Sequence, residues 1–169
     1  MAEKVFIPEE YPKLVGPLIY LAGPVTGAPP WHEEAVRIIH QLNPSIHIAI
    51  PNKQAFGKVF DYKTQDWKAH HDWETHYLQE AANHGVILFW MAKEVHHQCD
   101  RSYAQGSRFE LGEWKVRHER DGSKIVLEIE PGFPGERLLK QRFSEDCADT
   151  PICSSLKETC QKAVELIGK

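Results

Sequence analysis

Short apolar runs alternate along this chain with longer stretches of helical period. Leu18–Ala22 is an apolar run closed by Gly23-Pro24, which reads as a buried parallel strand entering a tight turn. After the loop 26–30, Pro30 suits the first position of a helix. Trp31, Ala35, Ile38, Ile39 and Leu42 then recur at a helical period until Asn43-Pro44 stops it. Ile46–Ile50 is a second strand, ended by Pro51-Asn52. Residues 53–69 show no period but carry Phe56, Phe60, Tyr62 and Trp67, and are expected to form a substrate-covering loop. The competing reading is a surface flap whose rings fill a groove on its own molecule.

His71–His84 reads as a second helix, with Trp73, Tyr77, Leu78 and Ala81 on one face. Gly85–Ala92 is apolar on both faces and must be a central strand. A polar loop, 93–107, leads to a helix over Arg108–Arg120. Lys124–Ile129 is a fourth strand, ended by Pro131-Gly132. A helix over Glu136–Phe143 and a short fifth strand over Thr150–Ser154 follow. Ser155-x-x-Glu158 caps a last helix, Leu156–Ile167. Residues 1–16 are read as an arm or an edge element.

Strands alternating with helices predict an α/β fold: one domain over 1–169, a doubly wound parallel sheet of about five strands, flavodoxin-like or Rossmann-like. In such sheets ligands bind outside the carboxyl ends of the strands. That edge collects Gly23-Pro24, Pro51-Asn52, the 93–110 stretch and Pro131-Gly132.

With 169 residues and 41% hydrophobic content the chain suits one core. A net charge of −4 gives no basic footprint for a nucleic-acid polymer. No apolar run reaches membrane-spanning length, and Met-Ala-Glu-Lys at the start lacks the apolar centre of a signal peptide, so a cytoplasmic protein without membrane contact is expected. The four cysteines show no paired spacing and are read as reduced thiols. His96-His97-x-Cys99 lacks a second ligand pair, so no metal is expected. The glycines form neither a dinucleotide fingerprint nor a phosphate loop, and no cofactor is expected.

Glu110 has two readings. Ser107-x-x-Glu110 is a capping box, in which Glu110 only bonds back to its cap, and local pattern alone favours this. Alternatively, a carboxylate in a first turn is held in its charged form by unpaired N–H groups and the macrodipole, and beside a loop mouth it is fit to be a nucleophile. Its place on the binding edge raises the second reading above the first.

The order and spacing of Ile19–Pro24, Trp31 with its helix, Val86–Trp90 and Phe109-Glu110-Leu111-Gly112, over roughly residues 18–130, resemble the nucleoside 2-deoxyribosyltransferase family. The resemblance implies that Glu110, in the E-L-G motif, is the nucleophile and that Tyr20, in the first strand, hydrogen-bonds it. It also implies a homo-oligomer whose subunits complete one another's pockets. Two family aspartates are missing: one position is Gly85, after Asn83-His84, and the other falls near Ala104, between Tyr103 and Gln105. The acid that protonates the leaving base is therefore open among Asp66, Asp72, Asp100 and His84. Asp72-Trp73-Glu74 resembles a Trp-Glu pair in one branch of the family. A helix face carrying one core Trp is its plain alternative.

The implied reaction is base exchange on a 2′-deoxyribonucleoside. Glu110 attacks the anomeric carbon, the base leaves with a proton, and a free base then attacks the ester with net retention. Aromatic rings stack on flat bases, which makes Trp31, Phe56 and Trp90 candidates. Gly23, Pro24, Asn52, Asp72, Gln105 and Ser107 complete the expected substrate contacts. Two alternatives remain. Water reaching the ester would make an N-glycoside hydrolase, with a 5′-phosphate held by Ser107, Arg108 and the helix N-terminus. A non-catalytic nucleotide-binding module is the other.

Overall fold

Alternation within the strands divides the core in two. In β2 (Leu18–Ala22), Leu18, Tyr20 and Ala22 join one buried cluster, while Ile19 and Leu21 join the other. In β4 (Gly85–Met91), Ile87, Phe89 and Met91 face the first cluster and Val86, Leu88 and Trp90 the second. Strands buried on both faces are what a parallel sheet between two helical layers requires. The computed structural model describes residues 4–52, 55 and 67–167. With β1 (Val5–Phe6), β3 (His47–Ala49) and β5 (Ile125–Ile129), the strands form one parallel five-stranded sheet in the order β1-β3-β2-β4-β5. The fold is α/β, with the flavodoxin-like doubly wound arrangement.

Five helices cover the sheet: α1 (His32–Leu42), α2 (Trp67–His84), α3 (Gln105–Asp121), α4 (Glu136–Asp146) and α5 (Leu156–Ile167). Helices α2, α3 and α4 send Trp73, Tyr77, Leu111, Trp114 and Phe143 into the Tyr20 cluster. Helices α1 and α5 send Ala35, Ile39, Cys160 and Ala163 into the Ile19 cluster. Among the described residues, no helix is long and apolar enough to cross a membrane.

Three differences from the expected elements matter. The N-terminal stretch supplies a true edge strand, with Val5 and Phe6 in register with Ile48 and Ala49. The carbonyl of Glu10 then accepts hydrogen bonds from Trp73 Nε1 (2.9 Å) and Tyr77 Oη (3.0 Å), which pins the arm across α2. The expected fifth strand at Thr150–Ser154 contributes only one parallel bridge, Leu127 to Ile152. Immediately beyond it the chain turns into α5, whose Glu158 N–H bonds to Ser155 Oγ at 3.2 Å. The third difference concerns α3. Of the expected loop over 53–69, residues 67–69 instead open α2, which begins at Trp67 and not at His71, Ala55 is described, and the rest, with Phe56 and Asp66, lies outside the described residues.

Candidate active site

Helix α3 begins at Gln105, three residues before the expected start. The N–H of Arg108 already bonds to the Ala104 carbonyl at 3.0 Å, so the helical ladder is running by then. Ala104 precedes it in the left-handed region, with φ 54° and no side-chain cap. Tertiary contacts set this start where the weak helix formers Gly106 and Ser107 do not. Tyr103 is buried, its hydroxyl donates to the Ala92 carbonyl at 2.7 Å, and its ring sits 6.0 Å from Phe133. The capping box is therefore absent. Ser107 is the third helical residue and Glu110 lies in the second turn, beyond the orphan N–H groups.

Removed from that role, Glu110 lines a cleft of about 250 Å³ at the carboxyl edge of the sheet. One wall is Gly23, Pro24, Val25 and Thr26, following β2. Another is Gln105, Gly106 and Ser107, with Arg101 and Ala104 before them. The third is His70 and Glu74 on α2, near Pro51. Glu74 Oε1 accepts a hydrogen bond from His70 Nε2 at 3.0 Å, one helical turn away. Beneath the cleft, Tyr20 is fully buried and its hydroxyl has no hydrogen-bond partner among the described residues. Its ring lies 6.3 Å from that of Trp73. The expected hydrogen bond from Tyr20 to Glu110 is not formed in this state.

Electrostatics reverse the expectation that Glu110 is held ionised. Burial raises its pKa to about 8, and the nearby carboxylates of Glu74 and Glu113 add to the rise. Tyr20 is raised well above the usual phenol range, first by burial and then by Glu110 and Glu74. The cleft thus sets the Glu110 carboxyl, raised by burial and by the neighbouring Glu74 carboxylate, near a buried phenol.

Of the expected contacts, Gly23, Pro24, Gln105 and Ser107 line the cleft with Glu110. At Gly23 the close approach is severe: with φ 153°, an added Cβ would lie 2.2 Å from the Trp90 carbonyl oxygen and 3.0 Å from the Trp31 ring. Trp31 and Trp90 do not line the cleft. They belong to the core on the opposite face of the sheet, with ring centroids 6.5 Å apart. Trp31 acts on the site only indirectly, by donating Nε1–H to the Pro24 carbonyl at 3.1 Å. Asn52 lines a neighbouring pocket of about 310 Å³, bordered by Val25, Pro29, Pro30 and His32. Burial lowers the His32 pKa to about 3, and its Nε2 has no partner among the described residues.

Asp72 is misplaced as a substrate contact. It is exposed and pairs with Lys68 on the outer side of α2. His84 ends α2, at the amino edge of the sheet, away from the cleft. Asp100 is exposed and does not line it. Arg108 points elsewhere, stacking 5.4 Å from the centroid of Phe133. Gly85 has no room for the family's aspartate, since a Cβ there would come 1.7 Å from the Leu18 carbonyl oxygen.

The acid that shares the cleft with Glu110 is Glu74, which the sequence offers only within the Asp72-Trp73-Glu74 segment and not among the open candidates Asp66, Asp72, Asp100 and His84. The helical stripe 70-73-74-77 contains the signal, because Trp73 and Tyr77 mark the inward face and Asp72 lies off it. Thr26 and Arg101 were also missed, and no motif marks them.

No family model and no curated protein matches the chain. Among solved structures, a conserved protein from Enterococcus faecalis V583 is similar in fold, with a TM-score of 0.54 at 15% identity over 90% of this chain and 99% of that one. At that identity the likeness establishes the fold alone.

Proposed function

We propose that this chain exchanges the bases of 2′-deoxyribonucleosides through a deoxyribosyl ester on Glu110. The observation that carries the reading is the pairing of Glu110 with Glu74 in one open cleft, above the unpartnered hydroxyl of Tyr20. A retaining exchange needs a carboxylate nucleophile and a proton donor to the departing base, and Glu110 and Glu74 are two carboxyl groups lining one cleft.

With its pKa raised to about 8 by burial, Glu110 starts out protonated at neutral pH. Positive charge building on the sugar favours the Glu110 anion, and the proton moves to Glu74. Glu110 attacks C1′ as the glycosidic bond breaks. The leaving nitrogen takes the bonding pair and, from Glu74, the proton. Tyr20 stays protonated and donates its free O–H to the ionised Glu110. A second base, deprotonated by Glu74, then attacks C1′ and releases Glu110, so two inversions give retention. The pocket beside Val25, walled by Pro29 and Pro30 and reached by Asn52 and His32, offers room for a flat base. We include a homo-oligomer in the proposal, because Phe109 and Val116 are exposed on the outer side of α3.

Hydrolysis is the second reading. Arg101, Ser107 and the first turn of α3 line the same cleft, a setting that suits a 5′-phosphate on the substrate. Incubation of deoxyinosine with and without adenine, followed by chromatography, separates the readings. Deoxyadenosine formed only with adenine supports transfer, and hypoxanthine formed without adenine supports hydrolysis. Neither product in either reaction defeats both and leaves a binding module.

A further inference from the structure

Resting on the reading above, we infer that His70 is a positioning residue that holds Glu74 as the proton donor to the departing base. His70 Nε2–H donates to Glu74 Oε1 at 3.0 Å, and both side chains line the cleft with Glu110. The pair sits on a helix that cannot easily roll. Trp73, between them, is fully buried and tied through Nε1 to the Glu10 carbonyl. With Oε1 occupied by His70, the other oxygen of Glu74 is the one left to carry the proton.

A second observation argues against a merely structural ion pair. Partly exposed pairs one helical turn apart contribute little to stability. Among the described residues, this one also leaves His70 Nδ1 buried without a partner, which costs stability. What the imidazole provides is the orientation of Glu74.

The step balances without any further reactant. The C1′–N bond breaks while the C1′–O bond to Glu110 forms. The electron pair leaves on the base nitrogen, which takes the proton from Glu74. Glu74 becomes the anion, and His70 keeps its own proton throughout. A leaving group that needs no proton bypasses this step.

The test compares two donors in the full chain: deoxyinosine, and a 4-nitrophenyl 2-deoxyriboside that departs as a stable anion. His70→Ala is expected to lower kcat for deoxyinosine about 100-fold, with little change in KM and little change in rate for the nitrophenyl donor. His70→Gln, whose amide nitrogen reaches the place of Nε2, is expected to restore most of the loss. Thermal melts of both variants confirm that they fold. Equal slowing of both donors, no slowing at all, or failure of a folded His70→Gln variant to recover overturns the inference. Mass spectrometry of the wild-type chain with the nitrophenyl donor checks the underlying reading separately. An ester on Glu110 together with any of those outcomes defeats the role of His70 alone. Absence of the ester defeats the underlying reading and this inference with it.

Discussion

The hydroxyl of Tyr20 is buried and, among the described residues, unpartnered beneath the cleft, within electrostatic reach of the Glu110 carboxyl. A buried hydroxyl without a partner costs stability, of the order of 1–3 kcal/mol. Removing it should therefore not harm the fold. Tyr20→Phe is expected to melt at or above the wild-type temperature and to exchange bases about 10- to 100-fold more slowly. Melting curves and exchange rates on one preparation check this. A destabilised variant with full activity would mark Tyr20 as ordinary core.

Glu110 gives a linked pair of outcomes. Its pKa is raised from an unfolded value near 4.5 to about 8, so the folded state binds the proton more tightly. Between those values the native state holds more protons than the unfolded one, and stability falls as pH rises. Glu128 is raised to about 7 and acts in the same direction, but it is common to wild type and variant. Glu110→Gln should lose exchange and gain stability relative to wild type, with a gain that grows from pH 5 to pH 8. Denaturant melts across that range measure it. A flat difference would mean that the carboxyl is solvated and the cleft more open than described.

The two acidic candidates on α2 are separable. Asp72→Ala removes an exposed partner of Lys68 and should change neither stability nor exchange beyond about 0.5 kcal/mol. Glu74→Gln should slow exchange of ordinary nucleosides by about 100-fold or more, because the base then leaves unprotonated. The reverse ranking in a kinetic assay would return the acid to Asp72.

Much of the fold is legible in the chain because its central strands are continuous apolar runs. Leu18–Ala22 and Gly85–Met91 have no other stable place than between two helical layers. Val5–Phe6 could not be read so firmly, since two residues show no period and the pairing to β3 is long-range. The start of α3 is not legible because Gly106 and Ser107 carry weak propensity, and the buried Tyr103 fixes the helix start from outside. In the site, Glu110, Gly23 and Ser107 follow from the motif and the sheet edge. Glu74 does not, because choosing it over Asp72 requires the rotation of α2, which Trp73 and Tyr77 set by packing. Trp31 and Trp90 look like base platforms in the sequence. Strand alternation places Trp90 on the far face of the sheet, and Trp31 packs beside it.

Gly23 and Gly85 offer the last comparison, since both are closed to a side chain yet only one borders the cleft. An alanine methyl at Gly85 would overlap the Leu18 carbonyl, which pairs β2 to β4 at the amino edge of the sheet. Gly85→Ala must push two central strands apart and is expected to cost several kcal/mol, about the size of the largest core defects. Gly23→Ala meets the Trp90 carbonyl and the Trp31 ring, and its φ of 153° adds strain. The backbone there can yield toward the open cleft, where the Gly85 position has no such outlet. Gly23→Ala is therefore expected to fold with a loss of about 1–3 kcal/mol and to lose exchange disproportionately, because the displaced turn carries Pro24 and Val25 into the space above Glu110. Chemical denaturation and exchange rates of the two variants decide the point. A Gly23→Ala chain with full turnover would show that the turn after β2 does not shape the reacting site.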